Sequence, residues 1–163
     1  MGFLAWLEAT GLGTWVRESN FGYPIVLAAH SVGMGVVVGI ILMLSARVLG
    51  FAKRLPVNTF EVLFTVAWCG FAVNAISGVL LFLGNASHLA VNAPFLIKIF
   101  LVAVGGIAAW ALANALRDEN GALVGENWTG PTSKAKALAV ANILIWCGAV
   151  LAGRLIGYTI SYF

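Results

Sequence analysis

Charge is scarce in this chain: only 9% of its 163 residues are Asp, Glu, Lys or Arg, against 61% hydrophobic residues. That balance lies far outside soluble-domain usage and excludes a soluble globular reading. The net charge of +3 is no nucleic-acid footprint, because the few basic residues stand at the ends of apolar runs, as loop charges of membrane proteins do. Histidine is almost absent, with only His30 and His88. The two cysteines, Cys69 and Cys147, both fall inside apolar runs, where sulfur packs as a small hydrophobe rather than as a disulfide or metal ligand. There is no Gly-rich phosphate loop after a strand, no nucleophile triad and no zinc-ligand spacing, so hydrolase and nucleotide-binding readings lack support. No repeat of 20 to 50 residues is present. The opening MGFLAWLEAT lacks a basic stretch and carries Glu8, which does not suit a cleaved signal peptide.

What remains is apolar sequence in long runs. A hydrocarbon core of about 30 Å needs about 20 apolar residues at helical rise, and four stretches supply them: about 23–47, 59–83, 93–116 and 134–160. The expected fold is an all-α membrane protein, an up-down four-transmembrane-helix bundle occupying 1–163 as one domain. Ahead of it, residues 2–19 place Phe3, Leu4, Leu7, Leu12, Trp15 and Val16 at helical spacing. This predicts a helix lying in the membrane interface, broken in two near Gly11 and Gly13, with Trp6 and Trp15 at headgroup level. Pro24 opens the first span. Asn58 with Glu61 reads as a capping box for the second, and Asn92 with Pro94 starts the third. The stretch RDENGALVGENWTGPTSK reads as an aqueous loop, and Tyr158, Tyr162 and Phe163 as an interfacial belt. Gly35 with Gly39, and Gly153 with Gly157, are spaced for close helix approach. Arg47, Lys53, Arg54, Arg117, Lys134 and Lys136 load one side of the membrane, so the positive-inside rule predicts both termini outside.

The polar exceptions inside the spans are the candidate functional residues. His30 lies roughly two turns, about 10 Å, below the outer end of the first span. An ionisable group at that depth faces protein or water rather than lipid. His88 falls in the outer loop, Lys98 about one turn inside the third span, and Arg154 within two turns of the end of the fourth. Lys98 near a helix N-terminus is disfavoured by the macrodipole, and no intramembrane carboxylate is at hand for either cation. A bound anion answers both. Haem b meets these demands together: His30 for the iron, Lys98 and Arg154 for the propionates, Gly33 leaving space beside the ring, Met34 on the histidine's face, and His88 as a second axial ligand. The bland alternatives are a hydrogen-bonding or proton-relay histidine and snorkelling cations.

The series WLEATGLGTWVRES, YPIVLAAHSVGMGVVVG, RVLGFAKRLPV, WCGFAVNAISGVLLF and NAPFLIK resembles an uncharacterised bacterial family of small four-helix inner-membrane proteins. That family is distantly similar to the CopD copper-resistance domain and the HemJ-type protoporphyrinogen oxidases. The resemblance covers about the first two-thirds of the chain, through His30, Gly33, Arg47, Gly50, Gly78, Phe82 and Lys98. It implies a haem b held by the histidine of the first span, served by the lysine and an arginine, in the bacterial inner membrane.

Three functions stand side by side. The first is an electron-transfer subunit with haem b near the periplasmic face, exchanging electrons with quinol or a periplasmic redox protein as part of a complex or homo-oligomer. A porphyrinogen-oxidising enzyme is its enzymatic variant, disfavoured by the lack of a carboxylate base near His30. The second is a copper-binding or copper-transport protein using His30, Met34 and His88. The third is a structural subunit of a larger respiratory or photosynthetic membrane complex.

Overall fold

The computed structural model describes residues 2–51, 53–117, 123 and 130–159. Two short helices, α1 (Phe3–Glu8) and α2 (Gly11–Glu18), precede the first long one, α3 (Gly22–Val48). A 3-10 turn at Val57–Thr59 leads into α4 (Phe60–Gly84). The short α5 (Ala86–Leu89) connects to α6 (Ala93–Ala115), and α7 (Ser133–Thr159) completes the described chain. α3, α6, α7 and α4 with its preceding turn are each long and apolar enough to cross a membrane, and no extended strand occurs among the described residues. The architecture is that of a multi-pass all-α membrane protein. Tyr162 and Phe163, with Asp118 and Glu119 of the polar loop, lie outside the described residues.

The helix ends follow local chemistry in most places. The N-terminal segment breaks at Thr10, whose Oγ1 accepts from the Gly13 N–H at 3.2 Å and so caps α2. α3 ends where Gly50 takes a φ of 101° and Phe51 N–H returns to the Ala46 carbonyl. Asn92 caps α6 through the Phe95 N–H at 3.0 Å, with Pro94 in the first turn. The capping box expected at Asn58 and Glu61 does not form. Asn58 sits within the 3-10 turn, and no side chain caps α4. Glu61 instead accepts from the Leu123 N–H at 2.9 Å, tying the distant α6–α7 connection to the start of α4. A long-range backbone donor outcompetes the local one.

α3 packs closely on α4 and on α7, and α6 packs on α7, whereas α4 and α6 approach each other less closely. At the end of the bundle bearing the α3–α4 and α6–α7 connections, hereafter the loop end, all four long helices meet. Ile40, Leu44, Val48, Phe60, Ala67, Leu112, Leu116, Ala135 and Ala139 form one buried cluster there. Toward the opposite end, which carries α1, α2 and α5 and is called the cap end here, the core narrows to three helices. Val37, Val38 and Ile41 of α3 pack on Trp146 and Ala149 of α7, with Leu101 and Val102 of α6 beside them. Cys69 and Cys147 are exposed free thiols on the bundle surface.

The small-residue spacings are used differently from expectation. Gly35, Gly39 and Gly157 face open space. The close crossing is made by Gly33 and Gly70: a β-carbon on Gly33 would stand 2.7 Å from the Gly70 carbonyl oxygen and 2.8 Å from Asn74 N. The glycine that was to leave room for a ring is thus taken up by the backbone of α4.

Candidate functional site

The site is built where α3 crosses α4 on the cap side of that glycine contact. Eight residues into α3, about 12 Å from its start, His30 projects between α4 and α6. Its Nδ1 lies 3.0 Å from the Asn74 carbonyl oxygen and 3.2 Å from Ser77 Oγ. A carbonyl only accepts, so Nδ1 carries the hydrogen. Ser77 Oγ donates to the Val73 carbonyl at 2.6 Å, which leaves its lone pairs for the imidazole. Asn74 closes the clasp in return, its Nδ2 donating to the His30 carbonyl at 3.1 Å. One face of α4 therefore fixes both the backbone and the ring of His30.

With the hydrogen on Nδ1, Nε2 is a bare lone pair. It points to α6, where Lys98 Nζ donates to it at 2.8 Å. The lysine stem runs along Gly153 of α7, where a methyl group would sit 3.4–3.6 Å from its Cδ, Cε and Nζ. Gly78 makes the matching space on α4: a β-carbon there would meet His30 Cε1 at 3.2 Å and Nδ1 at 3.4 Å. Two glycines on opposite sides let an imidazole and an ammonium meet between helices. Phe82 of α4 and Phe95 of α6 stack at 5.8 Å, one turn nearer the cap end, and join the two less closely packed helices there.

Of the expected site residues, the structure brings together His30 and Lys98. Gly33 supports the clasp from one turn below. Met34 is half-buried and packs against the Val37–Trp146 cluster. His88 is exposed on α5 and shares no hydrogen bond with the His30 group. Arg154 is exposed, its guanidinium 5.8 Å from the Tyr158 ring centroid, while its neighbour Gly153 takes the place beside Lys98. Asn74 and Ser77, the polar exceptions of the second span, and Gly78, named through the resemblance, complete the site although none was among the residues expected to form it. Their spacing of three and four puts them on one helix face, a signal readable in the sequence. Among the described residues no three His, Cys, Asp or Glu side chains come together to hold a metal ion. No carboxylate of the described residues pairs with Lys98; Arg17 and Glu18 pair at the surface.

Comparison with protein-family models, with curated proteins and with solved structures finds no match.

Proposed function

We propose that this is a haem b-binding membrane protein that carries electrons within the bilayer near its cap end. The observation that carries the reading is the posture of His30: Nδ1–H held by the Asn74 carbonyl, and Nε2 kept as an acceptor that Lys98 of α6 occupies at 2.8 Å. That is how proteins orient a ligating imidazole, through the ring nitrogen that does not bind metal. A single imidazole cannot retain a bare metal ion, which needs three or more protein donors. It can help hold an iron that already sits in a porphyrin. The donor set therefore fits haem and does not fit copper at the same residues.

The chain's own residues divide the work. His30 would ligate the iron, with Asn74 and Ser77 fixing the orientation of the imidazole. Lys98, a half-buried cation that pairs with no carboxylate of the described residues, would leave Nε2 and neutralise a propionate. Haem b supplies reversible one-electron chemistry when bound. His88 and Arg154 stand apart from this cluster, so the proposal rests on His30 and Lys98. In the bacterial inner membrane, with the cap end outward, the natural exchange partners are quinol and a periplasmic redox protein.

A second reading has its own support, since His30, Asn74, Ser77 and Lys98 already satisfy one another and join three helices without a ligand. On that reading the protein is a structural subunit of a membrane complex. The optical spectrum of the full-length protein, purified in detergent after expression with a haem precursor, separates the two. Haem binding predicts b-type bands in the reduced-minus-oxidised difference, abolished in His30→Ala and diminished in Lys98→Met. A colourless wild-type protein overturns the proposal, and a His30→Ala variant that then loses thermal stability favours the structural reading.

A further inference from the structure

Toward the loop end, far from His30, two fully buried polar side chains keep atoms that nothing in the described chain satisfies. Ser45 of α3 and Asn142 of α7 are both 0% exposed, and Ser45 Oγ and Asn142 Oδ1 have no hydrogen-bond partner. Serines in helices ordinarily return their hydroxyl to the carbonyl four residues back. Ser31 does so to Leu27 at 2.9 Å, and Ser77 to Val73 at 2.6 Å. Ser45 does not. Asn142 uses its Nδ2 in that way, donating to the Leu138 carbonyl at 2.9 Å, and so directs Oδ1 away from its own helix.

The register of α3 against α7 places these two residues in one layer. Val38 and Ile41 pack with Trp146 and Ala149. One turn further toward the loop end, Ile41 is followed by Ser45 and Trp146 is preceded by Asn142. The next layer is apolar, with Leu44, Val48, Ala135 and Ala139 in the cluster that closes the loop end. A hydroxyl and an amide oxygen therefore share a sealed layer between two closely packed helices without bonding each other. Buried polar atoms left unpaired are strongly disfavoured, and the common solution is an internal water with two or more protein partners.

We infer that Ser45 and Asn142 form a binding site for a single internal water that bridges α3 to α7. The water donates to Asn142 Oδ1 and accepts from Ser45 Oγ–H, so each unpaired atom gains a partner and the two helices a shared pin. The third unpaired buried atom, Trp146 Nε1, belongs elsewhere: it lies against Gly105 of α6, 3.1 Å from where a β-carbon would be. This inference is independent of the haem proposal, which concerns the other end of the bundle.

Two measurements on the full chain test it. A structure in lipid at a resolution that shows ordered waters should have a density peak within hydrogen-bond distance of both Ser45 Oγ and Asn142 Oδ1. A dry gap, or a direct Oγ–Oδ1 bond, overturns the inference. A thermal-melting cycle supplies the second readout. Ser45→Ala and Asn142→Leu should each lower the midpoint by about 2–4 °C, and the double variant should fall no further than the worse single, because both remove one shared bridge. Additive effects, or a Ser45→Ala variant that melts at or above the wild-type temperature, mark the pair as dry and refute the water.

Discussion

Replacing Gly33 by alanine tests the packing on which the His30 site stands. A β-carbon at that position would lie 2.7 Å from the Gly70 carbonyl oxygen, 2.8 Å from Asn74 N and 3.1 Å from Asn74 Cβ. Two of these atoms are backbone of α4, so no rotamer change relieves the overlap; α3 and α4 must separate by about 0.5 Å or more to restore contact distances. Overpacking of an unyielding interface costs about 1–3 kcal/mol. The separation also stretches the clasp between His30 and Asn74, whose hydrogen bonds are worth about 1 kcal/mol each. A total of about 2–3 kcal/mol corresponds to a fall of roughly 4–12 °C in melting midpoint for a chain of this size. The control lies two residues away. Gly35 is on the same helix with nothing within 4 Å of its would-be methyl, so Gly35→Ala brings only the gain in helix propensity, up to about 1 kcal/mol. The measurement is thermal melting of both variants in the same detergent. If they shift equally, or if Gly33→Ala melts with the wild type, α3 and α4 do not cross at Gly33, and the site described above is not formed as stated.

Two further predictions concern the Gly105–Trp146 contact and the His30 ring itself. Gly105→Ala would press a methyl to 2.9 Å from Trp146 Cε2, and because that indole is 2% exposed it should destabilise by about 1–3 kcal/mol, whereas Gly106→Ala, facing open space, should not. In cofactor-free protein labelled with nitrogen-15 histidine, His30 should show hydrogen on Nδ1 and a hydrogen-bonded lone pair on Nε2; Lys98→Met should keep that tautomer and shift only the Nε2 resonance, and an Nε2–H tautomer in the wild type would refute the hydrogen-bond assignment.

The bounds of the long helices were legible in the sequence to within about a residue at most described ends, because long apolar runs favour helix over any other backbone in a bilayer. Ends set by side-chain chemistry divided. Asn92 capped as its spacing predicted, since its partner is three residues away. Glu61 did not, since its partner is the Leu123 amide, 62 residues distant. The candidate site divided along a different line. Counting residues from a helix end gives depth, and depth correctly placed His30 and Lys98 in one layer. It says nothing about direction around the helix. Arg154 shares the depth of Lys98 but follows Gly153 by one residue, about 100° around α7, and that rotation carries it to the exposed surface beside Tyr158. Depth combined with spacing would have found more, because Asn74, Ser77 and Gly78 share both a face of α4 and the level of His30.

The two halves of the bundle meet different demands, and this explains why the site lies where it does. At the loop end the four long helices share an apolar cluster in which Phe60, Leu112 and Leu116 fill the centre, leaving no room for an ionisable group. α4 and α6 approach each other less closely than the packed pairs do, and a space between them would admit lipid unless something polar or bulky occupied it. Phe82 and Phe95 stack across its rim. Below them, Lys98 donates to Nε2 of His30 on α3, which accepts because the Asn74 carbonyl holds the imidazole hydrogen on the other nitrogen. Remove the Asn74 carbonyl from its place and Nε2 is free to carry the hydrogen, which would set two donors face to face at 2.8 Å. The α3–α4 crossing therefore governs the protonation pattern between α3 and α6, and a ligand that takes Nε2 must first displace a lysine that pairs with no carboxylate of the described residues. An occupant bearing its own negative charge meets that requirement, which a neutral one or a bare cation does not.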